Sequence, residues 1–185
     1  MNLTGQHQRV LQVHPSLRCN LKCLHCYSSS GPRATQELSV DLVRNALSDA
    51  VALGYNVASF SGGEPLLYRA LPEVLQHAKK AGMLTTVTTN GILLDRHRLD
   101  PLKDSLDLLA ISIDGAPASH NTLRNIGLAF QAMRDQLPNV REAGIRFGFL
   151  FTLTGENAGE LDWAAEFAGS EEEGAEPASP GDGLA

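Results

Sequence analysis

The 185-residue chain has no cysteine before Cys19 and none after Cys26. Secreted disulfide frameworks distribute their cysteines through the fold. Three thiols packed into one short stretch point instead to metal binding or redox chemistry in a reducing compartment. No apolar run is long enough to span a bilayer, and the opening MNLTGQHQRV lacks the apolar core of a secretory signal. The expectation is a cytoplasmic protein without membrane attachment. A basic surplus is missing too. The net charge is −6, yet Met1 to Ala168 carries 15 basic and 16 acidic residues, while the last seventeen, GSEEEGAEPASPGDGLA, hold five acids and no base. The acidity belongs to the tail, and the body offers no electrostatic ground for nucleic acid or anionic lipid.

What is present is ordinary globular material, 43% apolar and 19% charged, enough for one domain with a core. Short apolar runs alternate with helix-spaced patterns. RVLQVH (9–14) reads as a first strand. LSVDLVRNALSDAVALG follows as a helix capped by Ser39 and stopped at Gly54. YNVASF is a second strand, and YRALPEVLQHAKKAG a helix with Pro72 in its first turn. MLTTVTT, LDLLAISI and IRFGFLFTLT give three further strands. They are separated by a short Pro-interrupted stretch, LDRHRLDPLKDS, and by HNTLRNIGLAFQAMRDQL as one helix; ENAGELDWAAEFA closes the pattern. Such alternation predicts an α/β fold with a parallel sheet, open or curled toward a barrel. Residues 1–168 form the predicted domain, and 169–185 a disordered acidic tail.

In parallel sheets ligands bind at the carboxyl ends of the strands. Four unusual segments fall there: the cysteine loop CNLKCLHCY, SGGEP, TTNG and SIDG. Three thiolates on one loop suit a metal centre, but structural zinc and iron–sulfur clusters both normally take four protein ligands. Zinc completed by His14 or His25 is one reading, unliganded thiols are a second, and an iron–sulfur cluster with an open iron is a third. Gly62 and Gly63 permit close backbone approach to a ligand, or simply a tight turn with Pro65 ending the strand. Asn90 and Gly91 also make an ordinary turn. His7, His77, His97 and His120 show no acid–base arrangement and are expected at the surface. Trp163, at helical spacing, is expected in the core.

The ordered set CNLKCLHCY, GGEP, TTNG and SIDG resembles the radical S-adenosylmethionine (radical SAM) superfamily over residues 9–168. The resemblance implies a partial (β/α)6 TIM-like barrel. It implies a [4Fe–4S] cluster on Cys19, Cys23 and Cys26, with SAM on the open iron and a 5′-deoxyadenosyl radical as the reactive product of SAM cleavage. It assigns SAM contacts to Gly62, Gly63, Glu64, Asn90, Ser112 and Arg124, leaves Asp114 to order a turn, and puts Tyr27 beside the cluster. No separate acid–base catalytic residue is implied. The implied partners are a ribosomally made peptide, the favoured substrate here, or a haem precursor, and an electron donor such as ferredoxin or flavodoxin.

The chain departs from that pattern in one respect. A sixth strand should follow the Trp163 helix, where the periodicity stops. The expectation is a truncated barrel with about five βα units, its fifth strand open at the edge beside FGFLF and prone to association. An inactive cofactor-binding remnant is compatible with the same motifs.

Overall fold

The computed structural model describes residues 7–173. Five strands form one sheet: β1 (Val10–Val13), β2 (Val57–Phe60), β3 (Leu84–Thr89), β4 (Leu108–Ile113) and β5 (Phe147–Phe151). Their spatial order is their chain order, and every pair is parallel. A doubly wound sheet reverses direction at a switch point, whereas a sheet that only advances curls toward a barrel with its helices outside. The fold class is therefore α/β with a partial-barrel sheet. Among the described residues there is no sixth strand, and the outer edge of β5 has no strand paired to it.

Side-chain alternation sorts the two faces of the sheet. Val13, Ala58, Phe60, Val87, Leu109, Ile111 and Ile113 enter the main core, and the Phe residues of β5 pack against it. The opposite face carries Gln12, Thr88, Ser112 and Leu150, which line a cavity. Small and polar residues on an inward face leave room for a ligand; a barrel filled by branched side chains would not.

The helices follow the sequence with instructive exceptions. Ser39 caps α1 (Val40–Ala52) by accepting from Leu42 N–H at 3.3 Å. Pro72 lies in the first turn of α2 (Leu71–Lys80), and a 3-10 turn (Pro65–Leu67) precedes that helix. The Pro-interrupted stretch holds only α3 (Arg96–Leu99). The helix predicted over 120–137 is broken. α4 (Pro117–Arg124) ends at Asn125, whose φ of 57° is left-handed, and the chain restarts as α5 (Ala129–Arg134) and α6 (Leu137–Glu142). Asn121 bridges the break. Its amide nitrogen donates to Gly127 O at 2.8 Å, and its oxygen accepts from Phe130 N–H at 2.9 Å.

The last helix, α7 (Leu161–Glu173), runs five residues past the predicted boundary at 168. Its start is fixed by aromatic packing, with Phe167 5.2 Å from both Phe130 and Phe149 and stacked on half-buried Trp163. Its extension is fixed by charge: Arg141 donates to both the backbone and the carboxylate of Glu171, and Arg134 lies 3.5 Å from that carboxylate. The disorder predicted for 169–173 is thus corrected, and the rest of the predicted tail lies outside the described residues.

Candidate cofactor-binding site

The cysteine loop leaves the end of β1 and is closed at its base by Cys19 N–H to Gly31 O (3.2 Å) and Gly31 N–H to Leu17 O (3.1 Å). It is tied on one side to the SGGEP turn, where Ser28 Oγ donates to Gly62 O at 2.9 Å and the Tyr27 hydroxyl lies 3.1 Å from Ser61 Oγ. On the other side it joins α4 through Leu24 N–H to Leu123 O at 2.9 Å. The three thiols are free and half-buried, and all line one cavity of about 360 Å³.

Their protonation differs with surroundings. Burial pushes the Cys19 thiol up to about 11. Burial also raises Cys23, against the opposing pull of Arg124, whose Nη1 is 3.9 Å from the sulfur. At Cys26 burial is outweighed by hydrogen bonds from the Ser28 hydroxyl and the backbone at 28–30, and the net direction is downward. Thiolates bind metal, so of the three thiols Cys26 would most readily give up its proton to a metal loaded here.

Five of the six predicted cofactor contacts line the same cavity: Gly62, Gly63, Asn90, Ser112 and Arg124. Gly63 has no room for a side chain, because a Cβ there would collide with the Arg18 carbonyl. Asn90 reaches across to the cysteine loop, donating to Asn20 Oδ1 at 2.8 Å. Glu64 is the exception. It is 1% exposed and absent from the cavity wall. Its Oε1 accepts from Leu66 N–H (3.1 Å) and Thr89 Oγ1 (2.9 Å), and its Oε2 from Asn90 N–H (3.0 Å). The carboxylate therefore joins the end of β2 to the end of β3.

Arg124, 8% exposed, is aimed by Asp114, whose Oδ2 accepts from Nε at 2.6 Å. Asp114 is fully buried, and its Oδ1 has no partner. His25 Nε2 stands 3.5 Å from the same carboxylate. His120, expected at the surface, is 1% exposed. Its Nδ1 accepts from Asp114 N–H at 3.2 Å, which puts the ring proton on Nε2. Burial and then the Arg124 charge depress its pKa to about 4. The ring is therefore neutral, and its 4.0 Å approach to the Asp114 carboxylate is no ion pair.

Sequence reasoning missed this buried group and also Glu160, whose carboxylate accepts from Ala116 N–H at 2.6 Å and from the Ser119 hydroxyl. α4 has no side-chain cap of its own, so Glu160 supplies one from the turn before α7. Gly115, at φ 132°, gives that carboxylate its place, since a Cβ would overlap it.

The donor set can be tested against the candidate groups. Among the described residues no three His, Cys, Asp or Glu side chains converge closely enough for one metal ion. Zinc holds its sulfurs at about 2.3 Å and draws them tightly together; three thiols spaced around a cavity fit a larger polynuclear cluster better. His14, a proposed zinc ligand, faces the Tyr27 hydroxyl at 3.2 Å. His25 lines the cavity with Nδ1 unpartnered, and the inward faces of Asn90, Ser112 and Arg124 suit a polar ligand beside the thiols.

The radical SAM superfamily pattern matches residues 13–168. The chain belongs to the radical SAM superfamily. Its relatives include Fe-coproporphyrin III synthase of Methanosarcina barkeri, 36% identical over 146 residues, which are 78% of this chain and 37% of that protein. PqqA peptide cyclase of Rhodopseudomonas palustris is 37% identical over 107 residues, 55% of this chain and 28% of that one. The chain thus spans well under half the length of these relatives. Among solved structures, Streptococcus suis SuiB bound to S-adenosylmethionine superposes with a TM-score of 0.74 at 20% identity, covering 89% of this chain and 39% of that one. At that identity the likeness shows the fold alone. No helix among the described residues is long and apolar enough to cross a membrane.

Proposed function

We propose that this chain is the core of a radical SAM enzyme in which Cys19, Cys23 and Cys26 hold a [4Fe–4S] cluster and the adjoining rim holds SAM. The observation that carries this reading is the single cavity shared by the three thiols, the Gly62–Gly63 turn, Asn90, Ser112 and Arg124. Bound there, cluster and SAM supply one-electron cleavage of the sulfonium and hydrogen-atom abstraction from substrate. The protein's residues bind and orient. The Gly62–Gly63 backbone approaches the ligand's amino group, and Ser112 offers a hydroxyl to its ribose. The Arg124 fork, fixed at Nε by Asp114, presents its remaining donors to the carboxylate. Glu64 acts behind the wall, holding the glycine turn against β3.

For the substrate we favour a haem precursor, because relatives matched over more than three quarters of this chain include an Fe-coproporphyrin III synthase, an AdoMet-dependent heme synthase and a pre-heme d1 synthase. A ribosomally made peptide is the second reading, supported by the shorter match to PqqA peptide cyclase. Mass spectrometry after turnover, looking for Fe-coproporphyrin III formed from a haem-precursor substrate or for a modified peptide, separates them.

The core reading is tested by anaerobic reconstitution with iron and sulfide. The expected results are a brown protein that cleaves SAM to 5′-deoxyadenosine, and a Cys23→Ala variant that loses both colour and cleavage. Zinc as the only bound metal would overturn the cluster assignment. An intact cluster without SAM cleavage would make the chain an inactive remnant.

A further inference from the structure

We propose that the outer face of the cysteine loop, together with the turn after α4, is the docking surface for a small acidic one-electron carrier protein. The proposal rests on the function above, which requires that an electron reach the thiol-bound cluster. The chain's net acidity conceals an acid-free beginning: its first 36 residues contain Arg9, Arg18, Lys22 and Arg33 and no Asp or Glu. Lys22 and Arg33 are exposed and line one shallow depression beside the cysteine loop.

Next to this cationic rim lie three exposed apolar side chains, Leu24 at 67%, Ile126 at 42% and Leu128 at 71%. The fold brings the segments together. Leu24 N–H donates to Leu123 O at 2.9 Å, and the Asn125 amide reaches Lys22 O at 3.4 Å. The turn carrying Ile126 and Leu128 therefore abuts the loop. An apolar centre with a charged rim is the anatomy of a protein interface, and the charges choose the partner and speed its arrival.

The position of this patch identifies the cargo. Leu24 sits between Cys23 and Cys26 in sequence, so a protein seated here stands against the back of the ligand loop. The exchange is balanced: the reduced carrier gives up one electron, the cluster accepts it, and no bond forms or breaks at the surface. A cationic rim selects an acidic carrier, and a patch this limited suits a transient encounter burying less than about 1,200 Å².

The test is calorimetric binding of a flavodoxin and of a two-cluster ferredoxin to the anaerobically reconstituted chain. At low salt the wild type is expected to bind at least one of them. Lys22→Glu/Arg33→Glu should weaken that binding by about tenfold or more, and the difference should vanish near roughly 0.5 M salt. Leu128→Ser should weaken it at both salt levels. Lys80→Glu/Lys103→Glu reverses two exposed charges before β3 and β4, at the opposite rim, and should change affinity by less than about twofold.

Equal affinity in all variants, equal loss in both double variants, or no binding by wild type would overturn the proposal. A wild-type dimer dissolved by Lys22→Glu/Arg33→Glu, with no carrier bound, would assign the face to a second copy and overturn it too. Dithionite-driven SAM cleavage separates this surface from the site. The docking variants should keep the wild-type rate with dithionite. A wild type that binds carrier in the expected pattern yet cleaves no SAM with dithionite would sink the proposed function and leave the docking surface standing.

Discussion

Glu64 and Asp114 are both buried carboxylates on the carboxyl rim of the sheet, and the fold surrounds them in opposite ways. Glu64 meets only neutral donors, two on Oε1 and one on Oε2. Asp114 gives Oδ2 to the Arg124 guanidinium and leaves Oδ1 without a partner. An acid ringed by backbone N–H and hydroxyl groups fastens strand ends. An acid facing a guanidinium at a cavity wall sets where that guanidinium points. Burial alone does not tell a fastening acid from an orienting one; the charge of the donors does.

The contrast breaks most visibly at Glu64. Glu64→Ala leaves three donors unsatisfied in the interior and is expected to cost about 3–5 kcal/mol of unfolding free energy, read by urea denaturation of the metal-free protein. A loss below about 1 kcal/mol would mean that those donors find water, and that the acid belongs to the cavity after all.

Acid titration sharpens the comparison, because His120 beside Asp114 and the Glu64 carboxyl itself respond with opposite sign. The folded pKa of His120 is depressed to about 4. Its stabilising contribution is whole above the unfolded value near 6.5 and is lost as pH falls toward 4, by roughly 3 kcal/mol. Burial raises the Glu64 carboxyl. The folded state therefore holds that proton more tightly, and stability is gained as pH falls through the folded pKa. His120→Asn, which keeps an acceptor for Asp114 N–H, should flatten the acid-side decline, whereas Glu64→Gln should steepen it. Urea melts across pH 7 to 4 decide this, and parallel curves for wild type and His120→Asn would refute the burial argument.

A smaller effect isolates the ion pair. The cycle Asp114→Asn with Arg124→Met should show a coupling of about 2 kcal/mol in stability, and Glu64→Gln with Arg124→Met less than about 0.5 kcal/mol. Equal couplings would erase the distinction. The smallest change is Thr89→Val, which removes one donor from Glu64 and should cost about 1 kcal/mol in the same melts.

The sheet and the rim were legible because parallel strands announce themselves as apolar runs, and because SGGEP, TTNG and SIDG each stand where such a run stops. The cavity-lining cysteines and glycines could be picked out for that reason, whereas Ser112 and Arg124 were assigned through the resemblance to the radical SAM superfamily. The work of Glu64 could not: its partners at Thr89 and Asn90 lie 25 and 26 residues downstream, and a local turn reading knows nothing of them. His120 looked like a surface residue because HNTLR is polar. It is buried because Asp114 N–H needs an acceptor and the Phe130 ring packs edge-on at 5.9 Å. The break in the helix predicted over 120–137 was hidden for a similar reason. Its apolar spacing continues through a turn that Asn121 and left-handed Asn125 create. At the C-terminal end, composition alone marked 169–173 as tail, while Arg134 and Arg141 give Glu171 a reason to stay helical.

The borrowed cap on α4 has a consequence for biogenesis. Glu160 lies 44 residues beyond Ala116, whose N–H it accepts. On the ribosome, where a chain emerges from its N-terminus, the thiol loop is exposed early, while the helix that presents Arg124 waits for a residue made much later. On the proposed function, nascent protein would therefore meet iron and sulfide before the guanidinium beside Cys23 has been set, and the α4 side of the cavity is the last part of the rim to mature.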